Sequence, residues 1–209
     1  MYSKDEVLNK FKEYEALVSS KFGTRISRFR CDNGWKYVSH KFKKFCKQQG
    51  IQIEWTIPYT PEQNGVSERI NRTLVEKVRS MLEDSGVGKM LWGPAIQTAA
   101  YLANRSPASA IDQRKTPYEV WEGRKPNIRS LRAFGADVFV HIPKEIRKKL
   151  DAKSWRGTFV GYSHCGYRVW DPKRKEIVVA RDVVFVESER KLSLEKSQKP
   201  GSCSSRRIR

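Results

Sequence analysis

Two acidic residues, Asp32 and Glu68, stand where a chain can present a carboxylate to a ligand. Asp32 ends an alternating apolar run, residues 26–31, and opens an Asn-Gly turn, which is typical of a strand that leads into a loop. Glu68 stands where a loop rich in Pro, Gly and Asn gives way to a helical pattern. Thirty-five residues lie between them, and two such carboxylates could converge on one divalent cation. Hard oxygen ligands suit Mg²⁺ or Mn²⁺ and phosphate-ester chemistry.

The residues around Glu68 predict an amphipathic helix that Ser67 caps. Apolar side chains recur at intervals of four and three and predict a buried stripe that consists of Ile70, Leu74, Val78 and Met81. Glu68, Asn71 and Arg72 fall together on another face. The simpler interpretation of that face is a solvated surface with an exposed Glu68–Arg72 ion pair, worth only ~0.3–0.5 kcal/mol. Spacing alone favours the simpler interpretation.

The segment Thr60–Thr73, at its interval from the Asp-Asn-Gly turn, resembles the integrase of copia-type LTR retrotransposons, within the retroviral integrase superfamily. The resemblance implies an RNase H-like core in which three acids hold two metal ions for polynucleotidyl transfer. Asp32 and Glu68 would then be catalytic residues and metal ligands for Mg²⁺ or Mn²⁺. The resemblance also implies a loop that closes over the DNA end, and it assigns contacts with DNA to Gln63, Asn64, Asn71 and Arg72.

Only two of the three acids that the resemblance implies have counterparts here, because the family places its first Asp on a strand ahead of the residues matched. Asp5 is the earliest aspartate and falls at a helix start, so it does not take that role. Trp35 and Lys36 also stand where the family has Gly-Glu. We therefore expect weak cation binding and no catalysis. One alternative is a non-catalytic basic protein that binds nucleic acid, and another is a product of a decayed element without function.

The remaining pattern predicts an α/β protein, with a truncated RNase H-like core followed by a small SH3-like antiparallel β-barrel. Helices are predicted over 4–22, 39–49 and 91–104, and a strand over 51–55. From residue 131 the sequence pattern predicts strands, in short β-branched or aromatic runs at 134–142, 157–162, 167–170 and 177–185. The sequence of 159–162 resembles the family's SH3-like domain. The predicted domains are 1–129, 130–189 and a disordered basic tail, 190–209.

The net charge of +19, with a pI near 10.0, is the most informative bulk property. Such an excess attracts a polyanion, and DNA is the expected partner, both as element ends and as target. A generally basic surface without a specific partner is the alternative. The four cysteines form no C-x-x-C pair, which argues against a zinc site. With no apolar run of the ~18–20 residues that span a bilayer, we expect a nuclear or cytoplasmic protein that self-associates and does not enter membranes.

Overall fold

The computed structural model describes residues 6–32, 34–57, 64–111 and 115–186, without the side chains of Trp35 and Lys36. The chain divides into two compact units, Met1–Glu76 and Lys77–Arg209. The predicted tail, 190–209, lies outside the described residues. Within the described part of the chain, no helix is both long and apolar enough to cross a membrane.

The first unit contains a pair of parallel strands covered by helices. Its elements are α1 (Glu6–Phe22), β1 (Arg28–Cys31), α2 (Trp35–Val38), α3 (His40–Gln49), β2 (Gln52–Trp55) and the first part of α4 (Gly65–Ser85). Strands β1 and β2 run parallel, with Arg28 opposite Gln52 and Cys31 opposite Trp55. The predicted helices and strands of this unit are thus confirmed, with ends that shift by up to three residues.

Aromatic side chains from α1, β1 and α3 form the core of this unit. Phe11 and Phe42 are buried, and their ring centroids lie 5.1 Å apart. The ring centroids of Phe29, on β1, and Phe11 lie 4.7 Å apart, so the strand packs against the helices. Ser39 caps α3 by accepting a hydrogen bond from the backbone N–H of Phe42. These contacts place the carboxyl ends of β1 and β2 at one edge of the unit.

Helix α4 differs in two respects from its prediction. It begins at Gly65, so Ser67 lies inside the first turn and the predicted cap is wrong. Ile70 is 55% exposed, which removes it from the predicted buried stripe. Val78 and Met81 do pack, against a buried cluster that contains Leu91, Ala95, Phe134 and Val160. A four-three spacing identifies one face of a helix, but what covers that face is decided by distant parts of the chain.

The second unit joins two helices to a five-stranded sheet. The helices are α5 (Trp92–Asn104) and α6 (Pro117–Glu122), and the strands are β3 (Asp137–His141), β4 (Ser154–Ser163), β5 (Gly166–Asp171), β6 (Glu176–Ala180) and β7 (Val183–Phe185). All neighbours are antiparallel, in the order β6-β5-β4-β3-β7. The predicted run at 177–185 is two strands, broken at Arg181–Asp182.

Both faces of β4 are covered at its centre. Phe159 and Val160 are fully buried neighbours, although successive strand residues point to opposite faces. Phe159 belongs to a cluster inside the sheet with Val138 and Val169. Val160 packs on the other side, against Ala95 of α5. Because helix α5 covers the outer face, a run of consecutive apolar residues replaces the alternation expected of a half-exposed strand.

Candidate metal and nucleic-acid site at the end of the parallel strands

The carboxyl ends of β1 and β2 form the edge on which Asp32 lies. Cys31 is paired with Trp55, and the N–H of Thr56 donates to the carbonyl oxygen of Cys31 at 3.1 Å, which extends the ladder by one residue. Asp32 follows Cys31 directly and is exposed. Since parallel strands end at the same edge of a sheet, that edge is where side chains from both connections can meet.

A side-chain hydrogen bond connects this edge to the start of α4. The amide Nδ2 of Asn64 donates to the hydroxyl Oγ1 of Thr56 at 3.4 Å. Thr56 is buried, with 5% of its surface exposed, and Asn64 immediately precedes α4. Glu68 lies about one turn further on and is exposed. The bond therefore connects the residue that precedes α4 to the residue that follows β2.

The carboxylate of Asp32 is oriented by its own turn. Its Oδ1 accepts a hydrogen bond from the backbone N–H of Gly34 at 3.2 Å, a geometry typical of an Asx turn. A Cβ atom at position 34 would lie 2.9 Å from that same oxygen. A side chain at this position would displace the Asp32 carboxylate, so glycine lets the turn close without that shift. The Asp-Asn-Gly pattern thus has a local structural reason besides any chemical one.

The negative charge of Asp32 affects two neighbouring groups. Burial raises the pKa of the Cys31 thiol to about 11, and the carboxylate of Asp32 adds to that shift. The pKa of Tyr37 is also raised, first by burial and then by Asp32 and Cys31. Both shifts have the same electrostatic component, since a nearby negative charge opposes formation of another one. A bound cation would reduce this effect.

The two carboxylates fit one magnesium ion in type and in number. Mg²⁺ is usually held by one or two carboxylates, with water and substrate phosphate oxygens in its other positions. Asp32 and Glu68 offer hard oxygen ligands, and both are accessible to solvent. No group of three or more His, Cys, Asp or Glu that could hold a metal occurs among the residues described. Asp32 and Glu68 are the residues that would hold the ion.

The four predicted DNA-contacting residues differ in their surroundings. Asn71 and Arg72 are exposed on α4, within about one turn of Glu68. Asn64 is half-buried, and its amide nitrogen is engaged with Thr56. Gln63 lies outside the described residues, as do the backbone positions of the loop before it. Sequence reasoning missed Thr56 altogether, and no pattern around it distinguishes it from an ordinary residue after a strand.

Two family descriptions match this chain. Residues 136–199 match the retroviral polymerase SH3-like domain, and residues 1–84 match the TnsB C-terminal domain. Since the first match includes strands β3 to β7, the second unit contains an SH3-like domain of the retroviral type. The predicted fold class, an α/β protein with an SH3-like antiparallel sheet, is confirmed.

Longer matches come from curated proteins of plants. The chain is 45% identical over 199 residues to the retrovirus-related Pol polyprotein from transposon TNT 1-94 of Nicotiana tabacum, covering 94% of this chain and 15% of that protein. It is 33% identical over 187 residues to the corresponding polyprotein from transposon RE1 of Arabidopsis thaliana, covering 88% and 13%. The chain therefore belongs to the retrovirus-related Pol polyproteins from transposons. It spans 15% or less of the length of these relatives.

Solved structures give weaker similarity. The catalytic core domain of BIV integrase aligns with a TM-score of 0.42 and 24% identity, covering 59% of this chain and 74% of that one. The HTLV-2 integrase catalytic core domain in complex with magnesium aligns with a TM-score of 0.42 and 19% identity, covering 57% and 70%.

Proposed function

We propose that this segment contributes to DNA integration, with Asp32 and Glu68 as catalytic carboxylates that hold a divalent cation for polynucleotidyl transfer. The observation that carries the proposal is the hydrogen bond between Thr56 and Asn64, which ties the start of α4 to the edge that bears Asp32. The two carboxylates come from elements separated by a loop, so a fixed connection between those elements is what a shared site requires. The family membership supports the same chemistry.

The side chains have separate roles in this proposal. When bound, Mg²⁺ or Mn²⁺ would supply positive charge to a phosphate group and activate an attacking oxygen. The N–H of Gly34 keeps the Asp32 carboxylate in one orientation. Arg72 donates to a phosphate oxygen, and Asn71 donates beside it, since both side chains are exposed near Glu68. Asn64 and Gln63 contact the DNA end from the loop side.

We further propose that these 209 residues by themselves bind the cation weakly and do not complete the reaction. Two-metal catalysis requires a ligand shared between the ions, and the resemblance implies three acids for that purpose. The proposal is supported by the sequence match, in which Asp32 and Glu68 are the two acids that correspond to the family's motif. We also propose that the protein binds DNA, self-associates and acts in the nucleus or cytoplasm. The same proposal places the domain limits at residues 129 and 189.

A second candidate function is binding of nucleic acid without catalysis. It is favoured by the net charge of +19 and by exposed lysines on α3, which are Lys41, Lys43, Lys44 and Lys47. Phosphate contacts of this kind give affinity without sequence preference. Under this alternative, removal of divalent cations and loss of either carboxylate would leave DNA binding unchanged.

Calorimetry with MnCl₂ and MgCl₂ tests the first candidate. We expect weak binding to the 209-residue chain that is lost in both Asp32→Asn and Glu68→Gln. Glu76→Gln is the matched control, because Glu76 is an exposed glutamate on the same helix and should not affect binding. Equal binding by the parent chain and all three variants would mean that the two carboxylates do not share an ion. Parallel DNA-binding measurements in EDTA then distinguish the second candidate.

A further inference from the structure

The SH3-like domain contains a cleft that the proposed DNA chemistry does not use. Its volume is about 580 Å³, within the range common for ligand sites. It lies between the end of β3, the end of β6 and the connection before β4. The walls combine apolar side chains, among them Val140, Ile142 and Trp155, with charged ones, which are Arg147, Asp151, Arg174, Arg181 and Asp182.

Arg147 gives this cleft an unsatisfied donor. The Nε of Arg147 is buried and makes no hydrogen bond within the described part of the chain. Buried polar groups in proteins almost always have a partner, so this N–H indicates an acceptor that the described residues do not supply. Asp151 also lines the cleft, but its Oδ2 accepts from the backbone N–H of Lys148 at 2.8 Å. An anionic oxygen from a ligand would satisfy the guanidinium group.

Strand β6 gives the cleft an open hydrogen-bonding edge. In the described residues β6 is the last strand of the sheet and pairs with β5 alone. Val178, Val179 and Ala180 all line the cleft, and successive side chains point to opposite faces, so the cleft runs along the edge of the strand. Val179 is 51% exposed and Ile177 is 40% exposed. An exposed apolar edge strand is a template for pairing with another chain.

We propose that the cleft binds an extended peptide segment of a partner protein, which adds to the edge of β6 and places an acidic side chain on Arg147. Addition of a strand supplies main-chain hydrogen bonds, while pockets for alternate side chains give specificity. The strongly positive chain favours an acidic partner over a basic one. A nucleic acid fits less well, because it has no peptide N–H and carbonyl groups that could continue the β-ladder along β6.

The probe is a short fluorescein-labelled peptide in which valine and glutamate alternate, titrated with the full chain and followed by fluorescence anisotropy. We expect Arg147→Gln to weaken binding about tenfold, because a charge-assisted hydrogen bond is lost. Lys149→Gln is the matched control, since Lys149 is exposed in the same segment and does not line the cleft. It should bind the peptide like the parent chain.

A second pair of variants tests the strand edge independently of Arg147. Val179→Glu places a negative charge on β6 and should abolish binding. Val184→Glu makes the same change on β7, where Val184 is 69% exposed and outside the cleft, and should have no effect. Both positions are exposed, so neither variant should prevent folding.

Three results would overturn the proposal. In one, a peptide with glutamine in place of glutamate binds equally well. In another, all four variants bind like the parent chain. In the third, a single-stranded oligonucleotide displaces the peptide and depends equally on Arg147, which would make the cleft a phosphate site. None of these results bears on the cation at Asp32 and Glu68, so the two proposals can fail separately.

Discussion

Thr98 of α5 donates a hydrogen bond from its Oγ1 to the carbonyl oxygen of Val160, at 3.0 Å and across 62 residues of sequence. Thr98 is 2% exposed, and Val160 is fully buried. The register between β4 and β5 shifts between Phe159 and Gly161, so the carbonyl of Val160 lies at an irregularity in the ladder. The threonine hydroxyl thus satisfies a backbone group and fixes α5 on the sheet at the same time.

Replacement of Thr98 by valine should destabilise the second unit. The variant keeps the side-chain shape but leaves a buried carbonyl without its donor, and the expected loss in free energy of unfolding is about 1–3 kcal/mol. Urea unfolding measures it. Ser106→Ala is the control, because the Ser106 hydroxyl makes an exposed bond of the same type to the carbonyl of Leu102. A similar small effect in both variants would contradict a special role for Thr98.

Gly161→Ala should be destabilising for a different reason. Gly161 has φ +152°, which L side chains rarely adopt, and an added Cβ would lie 2.8 Å from the Oγ1 of Thr98. The methyl group would strain the backbone and disturb the bond to Val160. Gly93→Ala on α5 is the opposite case, since a Cβ there meets no atom of a distant residue within 4 Å. We expect Gly93→Ala to change stability little in the same urea experiment, because the gain from a helical alanine is offset by the contact of its Cβ with the ring of Pro94.

The buried thiol of Cys31 should make stability depend on alkaline pH. Its pKa rises from 9.0 to about 11 on folding, mainly because of burial. The neutral thiol is the form that folding favours, so this contribution is complete below pH 9.0 and is lost as pH rises towards 11. The unfolding midpoint in urea should therefore fall across that window, and less so in Cys31→Ala. Equal slopes in the two proteins would show that Cys31 does not titrate as described.

Binding to duplex DNA should weaken steeply as salt increases, because basic side chains displace counterions from phosphates. Arg72→Gln should reduce the magnitude of the log–log salt slope by about one. The exposed Arg124, after α6, provides the control variant Arg124→Gln, for which the slope should not change. Affinity that is insensitive to salt would refute the electrostatic basis of binding, and equal slopes for all three proteins would refute the contact at Arg72.

The 209-residue chain should not join an LTR-end oligonucleotide to plasmid DNA. An added N-terminal segment from a related element, which by resemblance carries three strands and an aspartate, should restore some strand transfer. The matched chimera with that aspartate changed to asparagine should stay inactive. Activity of the unmodified chain that is lost in Glu68→Gln would contradict the expectation. A folded but inactive chimera would direct the next test to Trp35 and Lys36.

Periodicity and turn chemistry were sufficient to predict most of the individual elements. The spacing of apolar residues predicts α1 and α3. The hydrogen bond from the N–H of Glu119 to Thr116, at the start of α6, is equally local. These features depend on residues within one or two turns of each other. The same local logic explains the Asp32 turn, in which the N–H of Gly34 donates to the carboxylate. The motif around Glu68 was recognisable for its length and spacing.

By itself, the sequence determined the types of the elements, the two candidate carboxylates and the strongly basic character of the chain. Only the tertiary structure decided that β1 and β2 pair in parallel, that Thr56 holds Asn64, that Ile70 is exposed and that Val160 is covered by α5. The physical reason is the range of the interactions. Backbone preferences and periodicity act between near neighbours, whereas strand pairing and burial depend on residues far apart in the chain.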